Sequence, residues 1–197
     1  MKIFLTGGSG YIGRATIGEL VRQGHVVEAL ARSERAEAAV VAAGASAVRG
    51  GLTDLDVLNQ AAARAEAVIH LAQATGGEPG RESGAIPYIA DGGNHWALIH
   101  LDDLARLYTA ALPAPAGSVY LGVGGVNPTA KEVAEACAHA AGPAGKTVSL
   151  SLAEARERIS PIADAFALDQ QLTPAKAQRE LGWTPVHADP LTEFAAE

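Results

Sequence analysis

The N-terminal part of the chain alternates short apolar runs with longer segments of helical periodicity. The apolar runs are short enough for buried strands, and each is followed by a segment with apolar residues at helical spacing. Strands that alternate with helices in this way favour a parallel sheet with right-handed crossovers. We therefore predict an α/β fold. The predicted strands are 2–6, 25–31, 45–49 and 67–71, and the predicted helices are 11–23, 34–43 and 54–64.

The alternation breaks after residue 71. Residues 76–93 are rich in glycine, include Pro79 and Pro87, and have no apolar pattern long enough for a crossover helix. We predict three parts: a dinucleotide-binding half at 1–75, a connecting loop at 76–93, and further strands with a helical subdomain at 94–197. The later pattern predicts strands at 96–101, 118–123 and 147–150, and helices at 102–112, 129–141, from Ser151, and from Thr173 to Leu181.

Composition narrows the class of protein. Hydrophobic residues make up 48% of the 197 residues and charged residues 19%, which fits a soluble globular chain. The net charge of −7 argues against nucleic-acid binding, because phosphate neutralisation needs clustered Lys and Arg. No apolar run is long enough for an export signal or a membrane span. The single cysteine, Cys137, cannot form an internal disulfide, so we expect a cytoplasmic protein.

The most informative motif is the glycine-rich turn Thr6-Gly7-Gly8-Ser9-Gly10-Tyr11-Ile12-Gly13, between the first strand and the first helix. We expect Gly7 to allow a sharp turn, Gly10 to let the backbone approach a pyrophosphate, and Gly13 to let the helix pack closely. The phosphates would lie at the helix N-terminus. An ordinary glycine-rich turn is the alternative. The residues expected to contact the cofactor here are Gly7, Ser9, Gly10, Tyr11, Ile12 and Gly13.

The residues at the next strand ends indicate which dinucleotide fits. Arg32 and Ser33 follow the second strand, where an acidic residue would bind a ribose 2′-hydroxyl, so NADP(H) is favoured over NAD(H), with Arg35 as a second candidate cation. Asp54 is expected either to bind the adenine amino group or to cap a helix. The end of the fourth strand should line the cofactor groove through His70, Leu71, Ala72 and Gln73.

These motifs together resemble the extended and atypical short-chain dehydrogenase/reductases, which include nucleotide-sugar epimerases and NAD(P)-dependent reductases. The resemblance extends to the segments 68–72, 100–105 (His-Leu-Asp-Asp-Leu-Ala) and 181–185. It implies a Rossmann-like parallel sheet with strand order 3-2-1-4 plus added strands and a small C-terminal α/β subdomain. It also implies an NAD(P) cofactor, which Arg32 narrows to NADP, and a small carbonyl or sugar-nucleotide-like substrate.

The chain departs from the family at the catalytic pair, a Tyr with a Lys four residues later. The four tyrosines are followed at that spacing by Ala15, Gly92, Leu112 and Gly124, and never by Lys. We interpret the chain as a family member truncated by an internal deletion. It would bind NADP(H) without the usual catalysis. The alternatives are an active oxidoreductase with another proton donor, for which Tyr88 and His95 are candidates, and an oligomeric fold remnant that binds no cofactor.

The deletion has a structural consequence. It would expose an edge of the fourth strand and an apolar sheet face. Either the segment 118–123 closes the sheet within the chain or a second protomer covers it by domain swapping, and we expect a homodimer or a higher oligomer. The six histidines are scattered along the chain and do not predict a metal site.

Overall fold

The chain divides into two compact units, each assembled from separate stretches of sequence. The computed structural model describes residues 1–72, 85–140, 145–187 and 189–195. The first unit consists of Met1–Gly76, Leu101–Ser118 and Leu181–Trp183. The second consists of Gly77–His100, Val119–Glu180 and Thr184–Glu197.

The first unit is built on a four-stranded parallel sheet with the order β3-β2-β1-β4, which confirms the predicted order. Its strands are β1 (Lys2–Thr6), β2 (Val26–Ala31), β3 (Ser46–Arg49) and β4 (Ala67–His70). Its helices are α1 (Tyr11–Arg22), α2 (Glu34–Ala42), α3 (Leu55–Ala63) and α4 (Leu101–Ala110).

Both faces of this sheet are covered because β1 is apolar on both sides. Ile3 and Leu5 are fully buried on one face in a cluster with Ile17 and Leu20 of α1. Phe4 points to the other face and packs in a cluster with Ala61 of α3. A strand that is covered on both faces has a continuous run of apolar residues in its sequence, and β1 is easy to predict for this reason.

The second unit contains a separate two-stranded parallel sheet, whose core includes Ile89 and Leu150. Its strands are β5 (Ala85–Ile89) and β6 (Lys146–Leu150). Its helices are α5 (Ala130–Ala140), α6 (Leu152–Arg158), α7 (Ala163–Phe166), α8 (Ala175–Leu181) and α9 (Pro190–Ala195). Among the described residues, no helix is long and apolar enough to span a bilayer.

Three sequence predictions about this region are wrong. The predicted loop at 76–93 contains β5. Among the described residues β5 pairs only with β6, so Pro87 can lie on the open edge where no backbone N–H is needed. The segment 96–101 is not a strand, because its hydrogen bonds go to single loop carbonyls, as from Trp96 N to Pro128 O. The segment 118–123 is not a strand either, and Val119 is 70% exposed.

Candidate dinucleotide-binding site

The turn after β1 brings the ends of two strands into close contact at Gly7. This residue has a φ of +80°, and a Cβ atom on it would lie 2.7 Å from both the Leu71 carbonyl carbon and the Ala72 nitrogen. The backbone after β4 therefore passes the turn at a distance that only glycine allows. The Leu71 N–H donates to the Thr6 carbonyl oxygen at 3.0 Å, which fixes this approach.

The start of α1 lies directly on the same turn. A Cβ atom on Gly13 would overlap the Gly7 carbonyl oxygen and would lie 2.7 Å from the Gly8 Cα. Gly8, which the sequence does not single out, is confined by side chains and less tightly, because a Cβ on it would lie 2.9 Å from Ile17 Cδ1. Gly8 is buried because α1 packs against it through Ile17, and a contact of this kind leaves no local signal in the sequence.

The first turn of α1 presents backbone donors. Gly10 is the N-cap residue, has no side chain to cap the helix, and donates its own N–H to the Gly7 carbonyl oxygen at 3.1 Å. The N–H groups of Tyr11, Ile12 and Gly13 have no acceptor among the residues that the structure describes. No acidic residue lies in this first turn. The arrangement leaves the positive end of the helix dipole available to an anion.

The end of β2 carries unpaired positive charge. Arg32 and Arg35 are exposed, and within the described ranges neither guanidinium has a hydrogen bond or an ion pair. Ser33 is the N-cap residue of α2, and its Oγ accepts from the Ala36 N–H at 3.2 Å. Its hydroxyl proton is not used in that bond, so the same side chain has a donor for a ligand.

Asp54 lies at the N-terminus of α3, but its side chain does not cap that helix. Its Oδ2 instead accepts from the Gly51 N–H at 2.6 Å and so holds the turn after β3. The carboxylate is exposed. The adenine contact remains a prediction.

The end of β4 is half-buried at Leu71 and Ala72, and His70 Nδ1 lies 2.6 Å from the Thr6 hydroxyl. Neighbouring carboxyl ends of β1 and β4 therefore lie beside the glycine turn, as expected for this class of sheet. Gln73, the remaining predicted contact, lies outside the described residues.

The two candidate proton donors belong to the second unit. Tyr88 is half-buried on β5. His95 Nδ1 lies 2.7 Å from Asp169 Oδ1, and the same oxygen accepts the His95 backbone N–H at 2.8 Å. These two contacts from His95, the backbone one foremost, hold the pKa of Asp169 below its ordinary value. Asp169 is too distant along the chain for the sequence to connect it with His95.

The N-terminal part of the chain is similar to a known family. Residues 3–85 match the model of the NAD dependent epimerase/dehydratase family. The resemblance predicted from the motifs is thereby confirmed for this segment of the chain. The match covers β1 from Ile3 onward, the glycine turn and the whole of β2, β3 and β4.

One relative aligns over the full chain. An uncharacterized protein of Schizosaccharomyces pombe is 24% identical over 299 residues, covering 100% of this chain and 99% of that protein. Because this chain has 197 residues, many aligned positions of the yeast protein have no counterpart here. A Stigmatella aurantiaca ketoreductase is 41% identical over 75 residues, which is 38% of this chain but only 22% of that enzyme.

Solved structures match the fold. A UDP-glucose 4-epimerase from Thermotoga maritima, determined with UDP-glucose, has a TM-score of 0.75 at 13% identity, covering 100% of this chain and 98% of that one. A human epimerase family protein, determined with NADPH, has a TM-score of 0.65 at 16% identity, with both chains fully covered. At these identities the likeness establishes the Rossmann-like fold alone.

Proposed function

We propose that this chain binds NADP(H) on the turn between β1 and α1, with the 2′-phosphate held by Arg32. The observation that carries the proposal is the cradle formed at Gly7 and Gly13, where added side chains would overlap the backbone. The open N–H groups of Tyr11, Ile12 and Gly13 are the donors that a pyrophosphate requires. The residues present therefore fit a dinucleotide.

Arg32 supports NADP(H) over NAD(H). It is exposed at the end of β2 and has no ionic partner within the described ranges, so binding a phosphate would cost no existing ion pair. No carboxylate stands at positions 31–33 to repel the phosphate or to bind a 2′-hydroxyl. The human family member determined with NADPH is consistent with this choice.

We propose further that the bound cofactor is not used in the family's Tyr–Lys reaction. A nicotinamide supplies hydride transfer, but the substrate proton must come from a protein group, and no tyrosine in this sequence is followed by lysine at the family's spacing. The alignment with the Schizosaccharomyces pombe relative extends over 299 residues, many more than the 197 of this chain, which supports an internal deletion.

A second candidate function is an NADP-dependent oxidoreductase that uses another proton donor, and the geometry of His95 favours it. Both Asp169 Oδ1, at 2.7 Å, and Gln171 Nε2, at 3.1 Å, contact His95 Nδ1. When Nδ1–H donates to Asp169, the ring is oriented as in catalytic His–carboxylate pairs, with Nε2 as the group that would exchange a proton. The substrate would be a small carbonyl compound or a sugar nucleotide.

Calorimetric titration with NADPH and NADH tests cofactor binding, and NADPH oxidation with a panel of carbonyl substrates separates the two functions. Tight NADPH binding without turnover supports the binding protein. Turnover that His95→Ala or Tyr88→Phe abolishes, while NADPH binding is unchanged, supports the oxidoreductase. If the protein binds neither dinucleotide, both functions are rejected, and the remaining explanation is an oligomeric fold remnant that binds no cofactor.

A further inference from the structure

Two histidines that the sequence leaves isolated lie together in the second unit. The imidazole rings of His100 and His187 stack with their centroids 3.6 Å apart and their planes 16° from parallel. Both residues are half-buried. A ring nitrogen of one lies within 4.8 Å of a ring nitrogen of the other. Neither side chain has a role in the proposed cofactor site.

A carboxylate fixes the orientation of one of the rings. Glu193 Oε1 lies 3.1 Å from His187 Nδ1. Glu193 is on α9, whose first turn is held by Asp189: its Oδ1 accepts from the Leu191 N–H at 3.0 Å, and its Oδ2 accepts from the Thr192 hydroxyl at 2.6 Å. When Nδ1–H donates to Glu193, Nε2 is the nitrogen that carries the lone pair.

This set of groups matches the way proteins hold metal ions through histidine. A metal-binding imidazole commonly donates its other ring N–H to a carboxylate, which sets the tautomer and makes the ligand more basic. With Zn–N bonds of about 2.0–2.1 Å, two nitrogens of a tetrahedral site stand roughly 3.4 Å apart. The ring nitrogens of His100 and His187 lie within 4.8 Å of each other, which is near that spacing. Because stacked rings hold their lone pairs side by side, the two rings must turn out of the stack for both lone pairs to point at one ion.

We propose that His100 and His187 bind one divalent transition-metal ion, with Glu193 as a positioning residue. Imidazole nitrogens favour Zn²⁺, Ni²⁺ and Cu²⁺ over Mg²⁺ and Ca²⁺, which prefer oxygen ligands. The competing explanation is purely structural, namely that the stacked rings and the Glu193 contact only anchor α9. In the metal site the His187 Nε2 atom is a ligand, whereas in the structural explanation only Nδ1 and the ring face are needed.

The test is titration of the untagged, metal-stripped full chain with Zn²⁺ by calorimetry and with Co²⁺ by visible absorption. The key variant is His187→Asn, whose side-chain amide keeps a donor for Glu193 but lacks the Nε2 ligand. His100→Ala removes the other ligand, and Glu193→Gln removes the positioning charge. His139→Asn is the matched control, because His139 is exposed on α5 in the same unit.

We expect one Zn²⁺ per wild-type chain and Co²⁺ bands typical of nitrogen ligands. His187→Asn and His100→Ala should each weaken Zn²⁺ binding at least about tenfold and remove the Co²⁺ bands. Glu193→Gln should weaken Zn²⁺ binding by about tenfold. His139→Asn should leave Zn²⁺ binding unchanged. Zn²⁺ affinity in His187→Asn equal to wild type would overturn the proposal, as would wild-type binding no tighter for Zn²⁺ than for Mg²⁺. Thermal unfolding of each metal-stripped variant distinguishes a lost ligand from a lost fold.

Discussion

Gly13 lies so close to Gly7 that a Cβ atom at position 13 would overlap the Gly7 carbonyl oxygen. The first turn of α1 and the chain leaving β1 are thereby held against each other by backbone contact. This contact sets where the open N–H groups of the helix point, so the fold of the turn and the proposed cofactor site depend on the same atoms.

Replacement of Gly13 by alanine should therefore damage stability and cofactor binding together. We expect Gly13→Ala to destabilise the fold by about 1–3 kcal/mol, since the backbone must shift to relieve the overlap. NADPH binding should weaken at least about tenfold as the N–H groups move. Urea unfolding and calorimetric titration measure the two effects.

Gly18 provides the control within the same helix. It is exposed, and a Cβ added there would meet nothing within 4 Å. Gly18→Ala should stabilise the protein by about 0.5–1 kcal/mol, because alanine is the better helix former, and should leave NADPH binding unchanged. Equal effects of the two substitutions would contradict the packing described at Gly13.

The capping box of α6 should make stability depend on pH. Ser151 and Glu154 bond each other's backbone N–H groups, and the Ser151 hydroxyl and N–H lower the pKa of Glu154. A carboxylate with a lowered pKa in the folded state contributes stability above its unfolded pKa and loses it as the pH falls through the folded pKa. Glu154→Ala should therefore lower the melting temperature at pH 7.

Glu157→Ala is the matched control, because it removes an exposed glutamate from the same helix. We expect little change in its melting temperature. The difference between the two variants should shrink as the pH is lowered from 7 to about 3, since Glu154 is then protonated in the wild-type protein as well. A difference that stays constant over this range would show that the charge of Glu154 has no part in capping.

The open edge of the first sheet leads to a prediction about assembly. Within the described residues β4 pairs only with β1, and Val68 on β4 is 52% exposed. We expect a dimer by light scattering at micromolar concentration, formed through this edge. Val68→Glu should give a monomer, whereas Val26→Glu, at a 62% exposed position on the inner strand β2, should remain dimeric. A monomeric wild-type protein would contradict this expectation.

The parts of the fold that depend on local chemistry could be predicted from sequence. β1 is apolar on both faces and is followed by glycines that only a tight turn requires, so strand, turn and helix were all predictable. The capped start of α6 at Ser151 is equally local, because the residues that form the capping box are three apart.

Features that depend on tertiary contacts could not be predicted in this way. Pro87 is typical of a loop, and only its place on the open side of a two-stranded sheet makes β5 possible. The apolar pattern around Val119 is typical of a strand, yet in the part of the chain that the structure describes no strand pairs with it. His95 contacts Asp169, and His100 contacts His187. Because the partners are far apart in sequence, a single sequence gives no indication of either contact.

The central claim is that Arg32 holds the 2′-phosphate of NADP(H), and calorimetric titration of wild type and Arg32→Ala with NADPH and NADH tests it most directly. Arg22→Ala is the matched control, since it removes one exposed arginine from the far end of α1. We predict that the wild-type protein prefers NADPH. Arg32→Ala should weaken NADPH binding by about 10–100-fold, because a hydrogen bond to a charged group contributes about 1.5–3 kcal/mol. NADH binding should be unchanged in this variant. Equal affinity of wild type for the two dinucleotides, or an unchanged preference in Arg32→Ala, would contradict the account.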